Sequence, residues 1–245
     1  MQHFEIKQGD CLELMKEIPE KSIDLILCDL PYGETDASWD KIIDLKKLWA
    51  EYERILKPDG VSCLFSAQKF TTKLIQSNFK DFKYCWYWLK NNKTGFAYAR
   101  FQPMRQIEEV CVFYKKAGRY NPQGIKEYSG GDRSKERITT ELYTIRGMRK
   151  QQKYTGYPTH LLKFNSVSSN ERVHSTQKPV DLLKYLIKTY TKEGETVLDN
   201  CMGSGSAGVA AVETGRRFIG YEKNEKYFDI AQNRIATAGG IYVNN

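Results

Sequence analysis

Long apolar runs are missing from this chain. Nowhere do about 18 consecutive apolar residues occur, the length a helix needs to cross a bilayer, so no helical membrane span is expected. The opening Met1-Gln2-His3-Phe4-Glu5 has neither the charged nor the apolar region of a signal peptide, and a cytoplasmic protein is the expectation. Histidine is scarce, with His3, His160 and His174 far apart, and the six cysteines (Cys11, Cys28, Cys63, Cys85, Cys111 and Cys201) show no C-x-x-C spacing. That scatter supports neither a metal site nor a disulfide framework. Most of these thiols sit in apolar runs, where reduced, buried cysteine is expected. Internal repeats and low-complexity runs are absent as well.

What is present suits a globular fold. With 245 residues, 40% of them apolar, the chain can bury one large core, and one main domain carrying an insertion is the expectation. The formal charge of +8 is unevenly placed: between Lys115 and Arg172 there are 13 Lys and Arg against 5 Asp and Glu, which leaves 25 of each sign elsewhere. Residues 115–172 are therefore set apart as an inserted basic region, with 1–114 and 173–245 forming the main domain. Within the insertion Tyr120, Tyr128, Tyr143, Tyr154 and Tyr157 interleave with the basic residues. Such a mixture supplies phosphate contacts and stacking together, as a polyanion-binding region does. The plainer alternative is a basic face that only keeps the chain in solution.

Strands and helices alternate along the main domain. A strand is expected over 4–7, a short helix over 12–18 and a buried strand over 23–28; a one-faced helix follows over 45–56, stopped by Lys57-Pro58-Asp59-Gly60. Next come a strand over 61–65, a helix over 68–78 and a strand over 82–89, the pattern of a parallel, doubly wound sheet. The strand over 107–114 follows an irregular connection, and an antiparallel course is expected for it. After the insertion, Pro179 opens a helix with apolar Leu182, Leu183, Leu186, Ile187 and Tyr190. A strand over 195–199, a helix to about 214, a strand over 217–221 and a closing helix over 224–236 complete the chain.

The chemistry is concentrated at two strand ends. The first, Asp29-Leu30-Pro31-Tyr32, places an acid, a backbone carbonyl, a stiff turn and an aromatic where open α/β sheets carry their sites. Together they suit an exocyclic amine on a flat ring: the carboxylate and the Leu30 carbonyl accept its two N–H groups, and the tyrosine stacks. A strand ending in a proline turn, with Tyr32 packed on the core and Asp29 as a cap, is the bland alternative. The polar loop from Gly33 to Ser38 beyond it, ending at Trp39-Asp40, reads as a mobile lid.

The second is Gly203-x-Gly205-x-x-Gly208 between a strand and a helix, with Glu222 ending the next strand. This is the βαβ pattern for an adenosyl ligand, whose ribose hydroxyls the acid takes. Dinucleotide and S-adenosylmethionine both satisfy it. Hydride-transfer enzymes usually begin with this fingerprint, whereas here it comes near the end, and Asp199 before the loop suits a ligand bearing an ammonium.

Taken in order, Asp29-Leu30-Pro31-Tyr32, the basic insertion, Gln177-Lys178-Pro179 and the loop from Asp199 to Gly205 resemble the β class of amino-methylating DNA methyltransferases, over nearly the whole chain. The resemblance implies the Rossmann-like S-adenosylmethionine-dependent methyltransferase fold, a mixed seven-stranded sheet flanked by helices, with permuted motif order and an inserted target-recognition region. It implies Asp29, Leu30, Pro31 and Tyr32 as catalytic, Leu30 departing from the family's usual proline. It implies Asp10, Gln177, Lys178, Pro179, Asp199, Cys201, Gly203, Ser204, Gly205 and Glu222 as cofactor-binding, without a metal. Asp10 as a mere helix cap and Lys178 as a solvated helix end are the alternatives at those positions; Phe65, at its strand end, is read as core, with pocket lining as the alternative.

The expected activity is methyl transfer from S-adenosylmethionine to N6 of adenine in double-stranded DNA by base flipping, since an acid at the first motif position goes with adenine. N4 of cytosine is the nearest alternative; RNA or protein methylation, a nicotinamide-dependent oxidoreductase and an inert DNA-binding protein stand further off. A homodimer is expected from the resemblance, and a cognate restriction enzyme is compatible with it.

Overall fold

In this computed structural model residues 4–33, 40–116, 119–129, 139–140, 143–144, 153–168, 170, 172–174 and 176–240 are described. In chain order the first elements are β1 (Phe4–Gln8), α1 (Cys11–Leu14), β2 (Ile23–Asp29), α2 (Leu45–Ile55), β3 (Leu56–Ser66), α3 (Gln68–Ser77), β4 (Phe82–Thr94) and β5 (Arg105–Phe113). Four two-residue strands follow, β6 (Lys126–Glu127), β7 (Thr139–Thr140), β8 (Tyr143–Thr144) and β9 (Tyr154–Thr155), then β10 (Leu161–Lys163). The chain closes with α4 (Val180–Tyr190), β11 (Thr196–Asp199), α5 (Ser206–Glu213), β12 (Arg217–Glu222) and α6 (Glu225–Ala238).

Two compact units result, Met1–Asn121 with His160–Asn245, and Pro122–Thr159. In the second, β6 pairs antiparallel with β9, and β7 with β8. Residues 115–121 and 160–172, expected inside the insertion, belong to the first unit. Pairing explains the difference: β10 lies parallel to β4 through Leu161 opposite Tyr87, and the Asn121 N–H donates to the Thr189 carbonyl at 2.7 Å.

The first unit is built on one sheet with the order β1-β12-β11-β2-β3-β5-β4-β10. Seven of these strands answer to the expected mixed sheet, and β10 adds an eighth at the edge. β5 runs antiparallel to both β3 and β4, as expected. Residues 23–28 are buried on both faces because β2 is central, and the period of two sorts their side chains. Leu25 and Leu27 join Val61, Cys63 and Phe65 under α4, α5 and α6, where Leu182, Leu186, Ala210 and Ile235 pack. Ile26 and Cys28 join Leu64 and Phe113 under Leu48, Tyr52 and Ile55 of α2, and Phe70 and Leu74 of α3.

The start of β3 departs from expectation. The Lys57-Pro58-Asp59-Gly60 turn belongs to β3, which begins at Leu56 opposite Ile23, with a register irregularity before Leu25. Lys57 explains it, since its ammonium grips the buried Asp24 carboxylate on β2 at 2.7 and 2.8 Å. A Cβ at Gly60 would lie 3.2 Å from the Ile23 carbonyl oxygen, so the strands approach closest where there is no side chain.

Candidate active site

Sheet order turns scattered acids into a row. β1, β12, β11 and β2 are parallel neighbours, so their carboxyl ends meet at one edge, and Asp10, Glu222, Asp199 and Asp29 stand there in that spatial order. Adjacent strands lie about 5 Å apart, which fixes the spacing of the row without any contact between the acids. A cavity of about 1020 Å³ opens along this edge. Of the residues singled out from sequence, Asp10, Asp29, Leu30, Pro31, Tyr32, Gln177, Lys178, Asp199, Cys201, Gly203, Ser204 and Glu222 line it. Gly205 and Pro179 do not line it.

In the half around Asp199 the backbone does much of the shaping. Gly203 has φ +51° and Gly205 φ +76°, values that disfavour any side chain. Their tasks differ. Gly203 faces the cavity and its N–H donates to Glu222 Oε2 at 2.9 Å, whereas a Cβ on Gly205 would lie 2.8 Å from the Ala231 Cβ. Gly208 is more crowded still, at 2.3 Å from Ile235 Cδ1, so the last two glycines let α5 and α6 pack closely. Glu222 Oε1 accepts the Asn224 N–H at 2.7 Å, which fixes both carboxylate oxygens and leaves each a further lone pair.

Asp10 caps α1 by accepting the Leu12 N–H at 3.0 Å, and Lys223 lies 3.3 Å from its other oxygen. The cap and the place in the cavity thus coexist. Ser204 is buried, its hydroxyl and carbonyl both accepting from the Arg234 guanidinium. Asp199 is 6% exposed and accepts the Cys201 N–H at 3.1 Å and a hydrogen bond from the Cys28 thiol. Burial pushes its carboxyl up to about 7, with the charges of Asp29 and Glu222 adding to the rise against the hydrogen bonds from Cys201 and Cys28. The six cysteines are free thiols, with Cys11, Cys85 and Cys201 partly exposed.

Around Asp29 the side chains form an alternating chain of charge. Lys178 Nζ donates to Asp29 Oδ2 at 2.5 Å and lies 3.4 Å from Glu108 Oε2, whose other oxygen accepts from Lys90 Nζ at 2.8 Å. Burial pulls the Lys178 ammonium down, but the charges of Asp29 and Glu108 outweigh it and hold its pKa above the ordinary lysine value. Burial likewise pushes Glu108 up, and Lys178 and Lys90 together bring it below the usual carboxylate range. Lys178 is therefore no solvated helix end. It is a 9% exposed cation resting 5.1 Å from the Phe65 ring, and Phe65 itself is core.

Tyr32 packs on its neighbours, as the plainer expectation had it, and also faces the cavity. Its ring stacks on Phe70 at 4.9 Å and 22°, and its hydroxyl donates to Asp29 Oδ1 at 2.8 Å. Burial beside Asp29 pushes the phenol well above its usual value, so it stays protonated and remains a donor. Of the loop expected as a lid, all but Gly33 lies outside the described residues.

Glu108, Lys90 and His174 are among the cavity residues that local sequence patterns did not single out. Glu108 had a signal, two consecutive acids in an otherwise apolar strand; Lys90 and His174 had none. His174 meets the Tyr227 ring at 4.2 Å on the cavity wall, and burial lowers its pKa, with Asp29 opposing and Lys178 reinforcing.

Sheet order, the antiparallel β5 and the row of acids together define the methyltransferase fold. Residues 23–233 match the model of the N6/N4 DNA methylase family, and the chain belongs to that family. The Type II methyltransferase M.HinfI of Haemophilus influenzae is 30% identical, over 94% of this chain and 67% of that protein. Among solved structures, an M1.HpyAVI complex with S-adenosylmethionine shares the fold with a TM-score of 0.67 at 23% identity, covering 95% of this chain and 98% of that one. PvuII DNA methyltransferase, described as cytosine-N4-specific, superposes with a TM-score of 0.69 at 16% identity, covering 96% and 86%.

Proposed function

We propose that this DNA methylase transfers the methyl group of S-adenosylmethionine to N6 of adenine in double-stranded DNA. The observation that carries the reading is the placement of Asp29 and Asp199 at the carboxyl ends of adjacent parallel strands, both facing one cavity. One acid receives the amine to be methylated while its neighbour belongs to the cofactor half.

The residues present fit the cofactor. Glu222 offers two fixed carboxylate oxygens for ribose hydroxyls, Asp10 an acceptor for the adenine amine, and buried Asp199 a counter-charge for an ammonium. Gly203, without a Cβ, lets the loop approach. When bound, S-adenosylmethionine supplies an electrophilic methyl on a sulfonium.

The protein's own task is to raise the nucleophilicity of an amine whose lone pair is delocalised into its ring. Asp29 and the Leu30 carbonyl accept its two N–H groups, which turns the lone pair toward the Asp199 side of the cavity and stabilises positive charge on nitrogen. Asp29 then takes up the proton the methylated amine sheds. To admit the amine, Lys178 gives up its bond to Asp29 Oδ2, and Glu108 stands within reach to keep the ammonium paired. Tyr32, backed by Phe70, offers the target ring a stiff aromatic neighbour.

An adenine edge is buried in the duplex, so the base must be flipped out. The basic region 115–172 supplies phosphate contacts and target recognition in this reading. N4 of cytosine is the second reading, favoured by the likeness to the cytosine-specific PvuII fold, because Asp29 and Leu30 would accept from either amine. Incubation with tritiated S-adenosylmethionine and unmethylated genomic DNA, followed by digestion to nucleosides, tests it. Label on N6-methyladenosine is the expected result; label on N4-methylcytidine overturns the adenine assignment and keeps the chemistry.

A further inference from the structure

Phe96, Tyr98 and Phe101 stand out on the surface of the first unit. They are 81%, 62% and 87% exposed on the single connection between β4 and β5, and large aromatics grouped in water mark an interaction site. The connection is also ordered. Thr94 pairs with Arg105 at its base, Gly95 turns it with φ +90°, and the Phe101 N–H donates to the Tyr98 carbonyl at 2.9 Å.

Charge and position narrow the partner. Lys93, Arg100 and Arg105 lie on the segment, and no acid occurs between Lys90 and Ile107. Asn92, Thr94 and Arg105 line the cavity that holds Asp29 and Asp199, so the aromatic tip is a continuation of the site's rim. A second copy meeting this tip about a two-fold axis would bring the same positive charge to it. A polyanion carrying flat apolar rings matches both features. Flipping a base leaves a gap in the stack, and proteins that distort duplexes fill such gaps with apolar wedges.

We infer that residues 95–104 are a wedge: Phe96 and Phe101 enter the duplex at the position the target base leaves, while Lys93, Arg100 and Arg105 hold the flanking phosphates. The inference rests on the proposed DNA methylation and adds the element that keeps the base out of the stack.

The test uses the full chain and a duplex oligonucleotide carrying a site mapped with the wild-type enzyme. One form is fully paired; in the other the target base faces an abasic position, where little stacking or pairing opposes flipping. Phe96→Ala/Phe101→Ala is expected to lower kcat/KM on the paired duplex by about tenfold or more and to recover to within about threefold of wild type on the abasic duplex. Cofactor affinity measured alongside reports intact folding. Equal loss on both duplexes, or no loss on either, overturns the wedge alone, as does a change in oligomeric state that assigns the tip to a second copy. Absence of label in any DNA with the wild-type enzyme overturns the DNA reading and the wedge with it.

Discussion

Replacing Asp199 by Asn is expected to make the cofactor-free protein more stable and less able to bind its cofactor. The carboxyl ionises at about 7 in the folded chain against an ordinary 3.8. A group whose pKa is raised on folding holds its proton in the native state over a range where the unfolded chain has lost it. Between those two values the native protein therefore binds one proton more, and stability falls as pH rises, by about 1.4 kcal/mol per pH unit. Over roughly three units the penalty reaches about 4 kcal/mol, complete above pH 7 and absent below the unfolded value. Asn carries no charge and can still accept the Cys201 N–H, so it removes the penalty.

Urea denaturation of both proteins at pH 5, 6, 7 and 8 reads the difference directly. The variant's advantage is expected to grow with pH toward a few kcal/mol at pH 8, roughly a 10 °C gain in Tm for a chain of this size. Calorimetry with S-adenosylmethionine reads the other side. Wild-type affinity is expected to rise about tenfold per unit below pH 7, because the ammonium needs the ionised acid, whereas Asn binds weakly with a flat profile. A stability advantage that does not grow from pH 5 to pH 8 would refute the assignment of a raised pKa to Asp199. Unchanged cofactor affinity would refute its role as the counter-charge.

Asp29→Ala should retain cofactor and DNA binding while single-turnover methyl transfer falls by about a thousandfold; residual activity near wild type removes Asp29 from the chemistry. Glu222→Ala should weaken cofactor affinity by about tenfold or more and leave DNA affinity alone, which equilibrium dialysis and a DNA-binding assay separate. Lys178→Met takes the shared cation from Asp29 and Glu108, two half-buried carboxylates that keep Tyr32 and Lys90 as partners, and should cost about 1–3 kcal/mol in urea denaturation, a loss that Glu108→Gln partly restores in the double variant; simple additivity would show that the two do not interact.

The central strands and most of the acids were legible in the sequence because each is written locally. β2 shows its burial as an unbroken apolar run, and Asp29, Asp199 and Glu222 announce themselves as acids at strand ends followed by turns. The basic insertion was legible as composition, but its boundary was not, because β10 joins the sheet through a partner far away in sequence. The glycine loop was legible as spacing, but the close packing of α6 at Gly205 and Gly208 was not, a contact no local pattern encodes.

Glu108 and Lys90 show what local reading cannot reach. A parallel strand delivers its last residues to the carboxyl edge, so acids ending such strands are easily suspected. β5 runs the other way and delivers its first residues, and Glu108 reaches Lys178 only because an antiparallel strand lies beyond β3. The direction of one strand thus decides whether Lys178 has a second partner. Without Glu108 the ammonium would have Asp29 alone, and an incoming amine could take Asp29 only by leaving a buried cation unpaired. In the proposed mechanism the exchange then conserves ion pairing, and the reversed strand serves it as much as the motif at the end of β2 does.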